Sequence, residues 1–169
     1  MTARATQSRT ISKIITVTLL GNPFGPPIVI SDPTLDGSSP LTSNFANFYV
    51  RGFVGTADEI LSGGIVVRGT ATEQVLFRAL GSDLGKSGIA NSLANPVLEV
   101  RDNNGVLLAS NDNWQDSPQS EEISSLGLTP GSETDAALLP TLVPGNYIAV
   151  VRDAAGSTGI AQLETKELC

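Results

Sequence analysis

The chain has 169 residues, 40% of them apolar and only 16% charged, with 17 Gly and 10 Pro; that is one domain's length, able to bury roughly 70% of its unfolded surface, and neither a disordered tail nor a charge-laced helical protein. Ten basic against 17 acidic side chains give a net charge of −7, which disfavours nucleic acid and anionic lipid as partners. With no histidine and one cysteine, Cys169, the chain lacks Ser-His-Asp and Cys-His nucleophile systems, His-containing zinc sites, an internal disulfide and a Cys-rich cluster; Cys169 either joins two chains or has no special role.

Arg4, Arg9 and Lys13 ahead of Ile14 to Leu20 have the outline of a basic segment followed by an apolar one. Two Thr interrupt that short run and no small-residue cleavage site follows, so a strand is the better reading. No stretch approaches the roughly 20 apolar residues that a transmembrane helix needs. Ile11, Ile15, Val17 and Leu19 fall on one face at period two, and residues 10 to 20 are predicted as a strand. Gly21 to Pro40 is a Pro- and Gly-punctuated connector with at most one short strand at Ile28-Val29-Ile30. Residues 1–44 are thus an N-terminal strand on a long arm, and 45–169 the main domain.

From residue 45 short strands alternate with turn signals. Phe45 to Val54, Gly64 to Arg68, Gln74 to Leu80, Val97 to Asp102, Val106 to Ser110, Leu138 to Val143, Asn146 to Arg152 and Gly159 to Thr165 carry β-branched or aromatic residues near period two. Asp102-Asn103-Asn104-Gly105 signals a hairpin, because Asn and Gly tolerate positive φ. Pro144-Gly145-Asn146 and Ala155-Gly156-Ser157 do similar duty. A short helix is predicted from Ser117-Pro118, with Glu121 and Glu122 near the positive end of its dipole and Gly127 closing it; an irregular turn is expected within residues 82 to 94. The fold class is all-β, an antiparallel sandwich of jelly-roll or Greek-key kind with one or two helical turns.

The stretches YVRGFVGTADEILSGGIVVRGTATEQVLFRALGSDL (49 to 84), NPVLEVRDNNGVLLASNDNWQD (95 to 116) and LVPGNYIAVVRDAAGSTGIAQLE (142 to 164) together resemble a module found, often in tandem, in large secreted and surface proteins of environmental bacteria. The second half is similar to the bacterial pre-peptidase C-terminal domain, through a strand, an Asp-x-x-Gly hairpin, a Ser-Asn-Asp loop and a late PGNY turn. The resemblance covers about residues 45 to 168 and implies an extracellular, non-catalytic β-sandwich used for structure or binding.

Asp102, Asn104, Asn111, Asp112, Asn113 and Asp116 form the richest cluster of hard oxygen donors, which two adjacent strands can bring to one end of the sandwich. Such donors on irregular backbone suit Ca²⁺, although the spacing is not that of an EF-hand; alternatively the same side chains satisfy their own turns. Some domains of the resembled family bind calcium. Trp114, inside that loop, either stacks on a sugar or a protein neighbour or closes one end of the core, and Tyr147 reads as a core anchor. Gly81 to Ser87 looks like a phosphate loop but has three residues between its glycines where four are required. Asp58-Glu59 and Glu121-Glu122 are sequence neighbours whose side chains diverge, so neither pair makes a flanking carboxylate dyad.

A lone strand leaves its backbone groups unpaired, so residues 10 to 20 must join a sheet, either in their own domain or in the next copy. The arm from Gly21 to Asn44, about 24 residues at up to ~3.3 Å each, reaches a neighbour, and head-to-tail repetition would build a filament. The leading functional expectation is therefore a secreted structural or adhesive subunit, a homo-oligomer or filament joined through that strand. The competing one is a calcium-dependent accessory module of a secreted hydrolase, with loops 102 to 116 contacting polysaccharide or a surface protein.

Overall fold

The computed structural model describes residues 48–168 and, before them, the backbone of 15–19 and 29–30. In chain order the strands are β1 (Ile15–Leu19), β2 (Val29–Ile30), β3 (Phe48–Val54), β4 (Leu61–Val67), β5 (Glu73–Leu80), β6 (Pro96–Asp102), β7 (Leu107–Asn111), β8 (Ala136–Leu138), β9 (Thr141–Leu142), β10 (Gly145–Asp153) and β11 (Gly159–Leu168); α1 spans Ser82–Lys86, α2 Ser120–Ser125, and a 3₁₀ turn Trp114–Asp116. They form two antiparallel sheets facing each other, ordered β2-β1-β4-β10-β6-β7 and β3-β11-β5-β8, with β9 beside β5. The all-β sandwich read from the sequence is the fold.

Alternation explains which residues face inward. On β3, Phe48, Val50 and Val54 turn toward the core while Tyr49, Arg51 and Phe53 turn out. Phe77, Leu61, Leu98, Leu163, Val100 and Val151 are fully buried between the sheets, each side chain contributing about 1.5–3 kcal/mol by leaving water. Gly63 is the concession in this layer: a β carbon there would stand 3.0 Å from Leu163 Cδ2.

Several boundaries differ from the sequence reading. The strand expected over Leu138 to Val143 is two short ones, β8 and β9, because Pro140 has no N–H for the ladder; its carbonyl instead accepts from Val75 N at 3.1 Å. The strand expected from Gly64 begins at Leu61, where both β1 and β10 pair with it. The helix expected from Ser117-Pro118 starts at Ser120, because buried Ser117 ends the 3₁₀ turn, its N–H donating to Trp114 O at 3.2 Å. Gly127 does close that helix, at φ +66: its N–H reaches Ser124 O and the Leu128 N–H reaches Ile123 O, a Schellman pair. The 82 to 94 segment contains α1.

A second apolar cluster lies outside the sandwich. Leu76, Ala137 and Leu139, on the outer face of the β3-β11-β5-β8 sheet, pack with Ile123, and Trp114, Leu128 and Leu168 close around them. The loop from the 3₁₀ turn through α2 therefore covers the β5-β8 half of that face. The β3-β11 half keeps Tyr49 at 67% and Phe53 at 55% exposure.

Candidate functional site

The oxygen-rich loop residues are distributed over three tasks. Asp102 Oδ1 accepts from the amides of Asn104 and Val106 at 2.8 and 2.9 Å, closing the hairpin in which Gly105 sits at φ +80. Asn104 Nδ2 points back to Asp102 Oδ2 at 3.5 Å. Asn111 is buried and spends both ends of its amide: Nδ2 donates to Asn113 O at 2.7 Å, and Oδ1 accepts from Ala137 N at 3.0 Å. It thereby ties β7 of one sheet to β8 of the other. Asn113 Nδ2 contacts Asp112 Oδ1 at 3.4 Å, and Asp116 is an exposed residue of the 3₁₀ turn. Among the described residues no group of three or more acidic or cysteine side chains gathers closely enough to hold a metal ion.

Trp114 is half-buried against the outer cluster on the β5-β8 half of the sheet, a place that neither sequence reading anticipated. Its backbone N–H donates to Asp135 O at 2.9 Å. Tyr147 is buried in the main core, as expected, and its hydroxyl donates to Val143 O at 2.7 Å. Burial, and then the nearby Asp102 charge, raise its pKa.

The phosphate-loop likeness of Gly81 to Ser87 has a structural cause. The amides of Gly81, Ser82 and Asp83 converge on one anion, and that anion is the chain's own Asp135: Oδ1 accepts from Gly81 N and Ser82 N at 2.9 Å each, and Oδ2 from Asp83 N at 3.0 Å. Burial pushes the Asp135 pKa up, the three amides pull it back, and the Asp83 charge adds to the rise. Sequence reading missed Asp135, which lies more than 50 residues from the amides it serves; an Asp opening an apolar Ala-Ala-Leu-Leu run was the only hint.

The N-terminal strand β1 is the second strand of the six-stranded sheet of its own chain, between β2 and β4. β1 pairs with β4 through Val17↔Gly63, Thr18↔Ser62 and Leu19↔Leu61, and with β2 through Ile15↔Ile30 and Thr16↔Val29. The register sets Val17 and Leu19 opposite Gly63 and Leu61, the core-side positions of β4. Ile11 and Cys169 fall outside the described residues.

The remaining constellation is the open half of the outer sheet face. Arg51 on β3 donates through Nε and Nη2 to Gln162 Oε1 on β11, at 3.0 and 2.7 Å. Gln162 Nε2 donates to Glu164 Oε1 at 2.6 Å. Glu164 Oε2 accepts from Arg78 Nε on β5 at 2.8 Å and pairs with Arg78 Nη2; Arg78 Nη1 donates to Leu128 O at 3.1 Å. This polar ladder crosses three strands, with Tyr49 and Phe53 on either side of Arg51. A cleft bounded by Tyr49, Lys166, Glu164, Arg78, Leu76 and Leu128 continues it toward the covered half. The signal in the sequence is that the outward positions of β3 carry two aromatic residues, Tyr49 and Phe53, on either side of Arg51.

No helix among the described residues is long and apolar enough to cross a membrane. No family model matches the chain, and no curated protein does. Among solved structures it is similar to the pre-peptidase C-terminal domain of a collagenase from Bacillus anthracis, with 11% sequence identity over 72% of this chain and 90% of that one and a TM-score of 0.42.

Proposed function

We propose that this chain is a non-catalytic structural and adhesive module of a secreted bacterial protein, whose copies join by exchanging the N-terminal strand. The secreted setting follows the sequence resemblance of residues 45 to 168. The non-catalytic reading is supported by how its ionisable groups are employed: Asp135 caps α1, Asp102 closes a hairpin, Glu99 pairs with Arg101 at 2.7 Å, and Glu164 holds Arg78. Each serves the chain's own structure; Glu164, which bounds the cleft beside Tyr49, is itself held by Arg78 and Gln162.

The observation that carries the exchange reading is the position of β1. It contributes a short run of paired residues to β4, lies next to the sheet's end, and is followed in sequence by β2 and the connector before β3. The same strand from a second copy would make identical backbone hydrogen bonds to β4, so exchange alters connectivity and leaves the ladder intact. Repeated head to tail, that contact extends into a fibre.

Light scattering on the full chain across a concentration series tests this. Multimers growing with concentration are expected, and Val17→Pro should return them to monomer, because proline removes a ladder donor on β1. A full chain that stays monomeric throughout, or multimers indifferent to Val17→Pro, would remove strand exchange.

A further inference from the structure

We infer that the outer edge of β3 takes up an extended acidic peptide strand, adding it to the β3-β11-β5-β8 sheet. The inference rests on the reading of the chain as an adhesive module but not on strand exchange. Among the described residues β3 pairs with β11 alone, along its whole length from Phe48 to Val54. In an antiparallel pair alternate residues turn both backbone groups toward the partner strand, so the residues between them turn an amide and a carbonyl away from β11. That row fits another backbone in extended form, whose alternate side chains then lie beside those of β3. On the outer face those β3 side chains are Tyr49, Arg51 and Phe53, both rings being more than half exposed.

Charge on that face selects the strand. Arg51 gives Nε and Nη2 to Gln162 Oε1, a neutral acceptor, which fixes the guanidinium without cancelling its charge. Arg78 is matched by Glu164, and Lys166 adds a further cation beside Tyr49 in the same cleft. Arg51, Arg78 and Lys166 against Glu164 make the open half of the face positive, on a chain whose net charge is −7. Glu59 packs against Gly55, past the end of the strand. A carboxylate directly across from Arg51 gains a charge-assisted hydrogen bond, and apolar residues two places to either side of it lie against the Tyr49 and Phe53 rings. The same arrangement disfavours β3 of a second copy as the occupant. The antiparallel register that overlaps the two strands from Phe48 to Val54 sets Arg51 opposite Arg51, a like-charge pair. An acidic sugar polymer answers the rings and the cations but has no amides and carbonyls at the period of a strand.

Fluorescence anisotropy of the full chain with a labelled, end-capped peptide Thr-Val-Thr-Glu-Thr-Val-Thr reads this directly. Saturable binding is expected, weakened about tenfold or more when the central Glu is replaced by Lys. Arg51→Glu should reverse that preference, so that the Lys peptide binds better than the Glu peptide. Tyr49→Ala with Phe53→Ala should weaken the Glu peptide about threefold or more, and Val106→Ser in the β6-β7 hairpin should leave it unchanged; the melting temperature of each variant confirms folding. Methylating alternate backbone nitrogens of the peptide should abolish binding for one of the two alternate sets and spare it for the other, since only one edge of the peptide meets β3. The inference fails if the Glu peptide does not bind, if the Lys peptide binds equally, if Arg51→Glu leaves the preference as it was, or if both methylated peptides still bind. It fails as well if polygalacturonate binds the chain and the peptide does not, which would make the ligand an acidic polysaccharide. Loss of the multimers seen by light scattering on Arg51→Glu would also overturn it, by making this edge an interface between copies. Val17→Pro should leave peptide binding in place, so the fate of strand exchange is read separately.

Discussion

Asn111 shows what a buried side-chain amide does for the backbone around it. Its amide bridges Asn113 O and Ala137 N across the two sheets, and both ends are spent inside the protein. Asn111→Leu, similar in size, strands the buried Ala137 N–H and should cost about 2 kcal/mol in urea unfolding. Because Asn111 and Asp102 already serve backbone amides, a chelator should leave the melting temperature of the full chain unchanged; a specifically bound ion would instead raise stability with its concentration. Asp153 gives the pH dependence. Burial alone would raise its pKa, but the amide and hydroxyl of Ser157 and the amides of Ala155 and Asn95 outweigh it and hold the carboxyl below its ordinary value. A depressed folded pKa contributes stability that is complete above about pH 4 and lost as pH falls through the folded value. Asp135, with its pKa raised, acts in the opposite sense: its charging works against the fold as pH climbs through that raised value. Asp153→Asn should therefore lower the melting temperature at neutral pH and flatten its decline in acid, as followed by melts from about pH 2 to 7.

At the scale of elements, α2 shows why its start was misread and its end was not. A C-terminal glycine at positive φ is a local necessity, visible in sequence wherever a helix must stop. Gly127 has open space around it, so Gly127→Ala strains only the backbone and should cost about 1 kcal/mol in thermal unfolding. The start depended on Ser117 being drawn into the 3₁₀ turn beneath Trp114, a tertiary event. Strand existence was legible throughout because period-two patterning reports burial directly. Strand ends were less so: Leu61 to Gly63 joined β4 because neighbours on both sides offered partners, Ser62 lying between Thr18 of β1 and Val150 of β10. The edge position of β3 was likewise invisible, since no residue announces which flank lacks a neighbour, and with it went the meaning of Tyr49 and Phe53.

For the whole molecule, the two sheets meet on Phe77, Leu163, Leu98 and Val151, contributed by β5, β11, β6 and β10. Phe77→Ala opens a void between them and should cost about 3–5 kcal/mol, measured by urea unfolding of the full chain. Composition and patterning by themselves determined the class: an acidic, histidine-free chain with apolar residues at period two, broken by Gly, Pro and Asn, has to bury strand faces against each other. They also located the hairpins, because positive φ is a property of single residues. Only the tertiary structure decided which polar groups were already spent. Asp135 met the amides of Gly81 to Asp83, Asn111 joined the two sheets, and one half of an outer face was roofed while the other stayed open. Hydrogen-bond partners and cover come from residues distant in the chain, and sequence spacing carries no measure of that distance once the chain is folded.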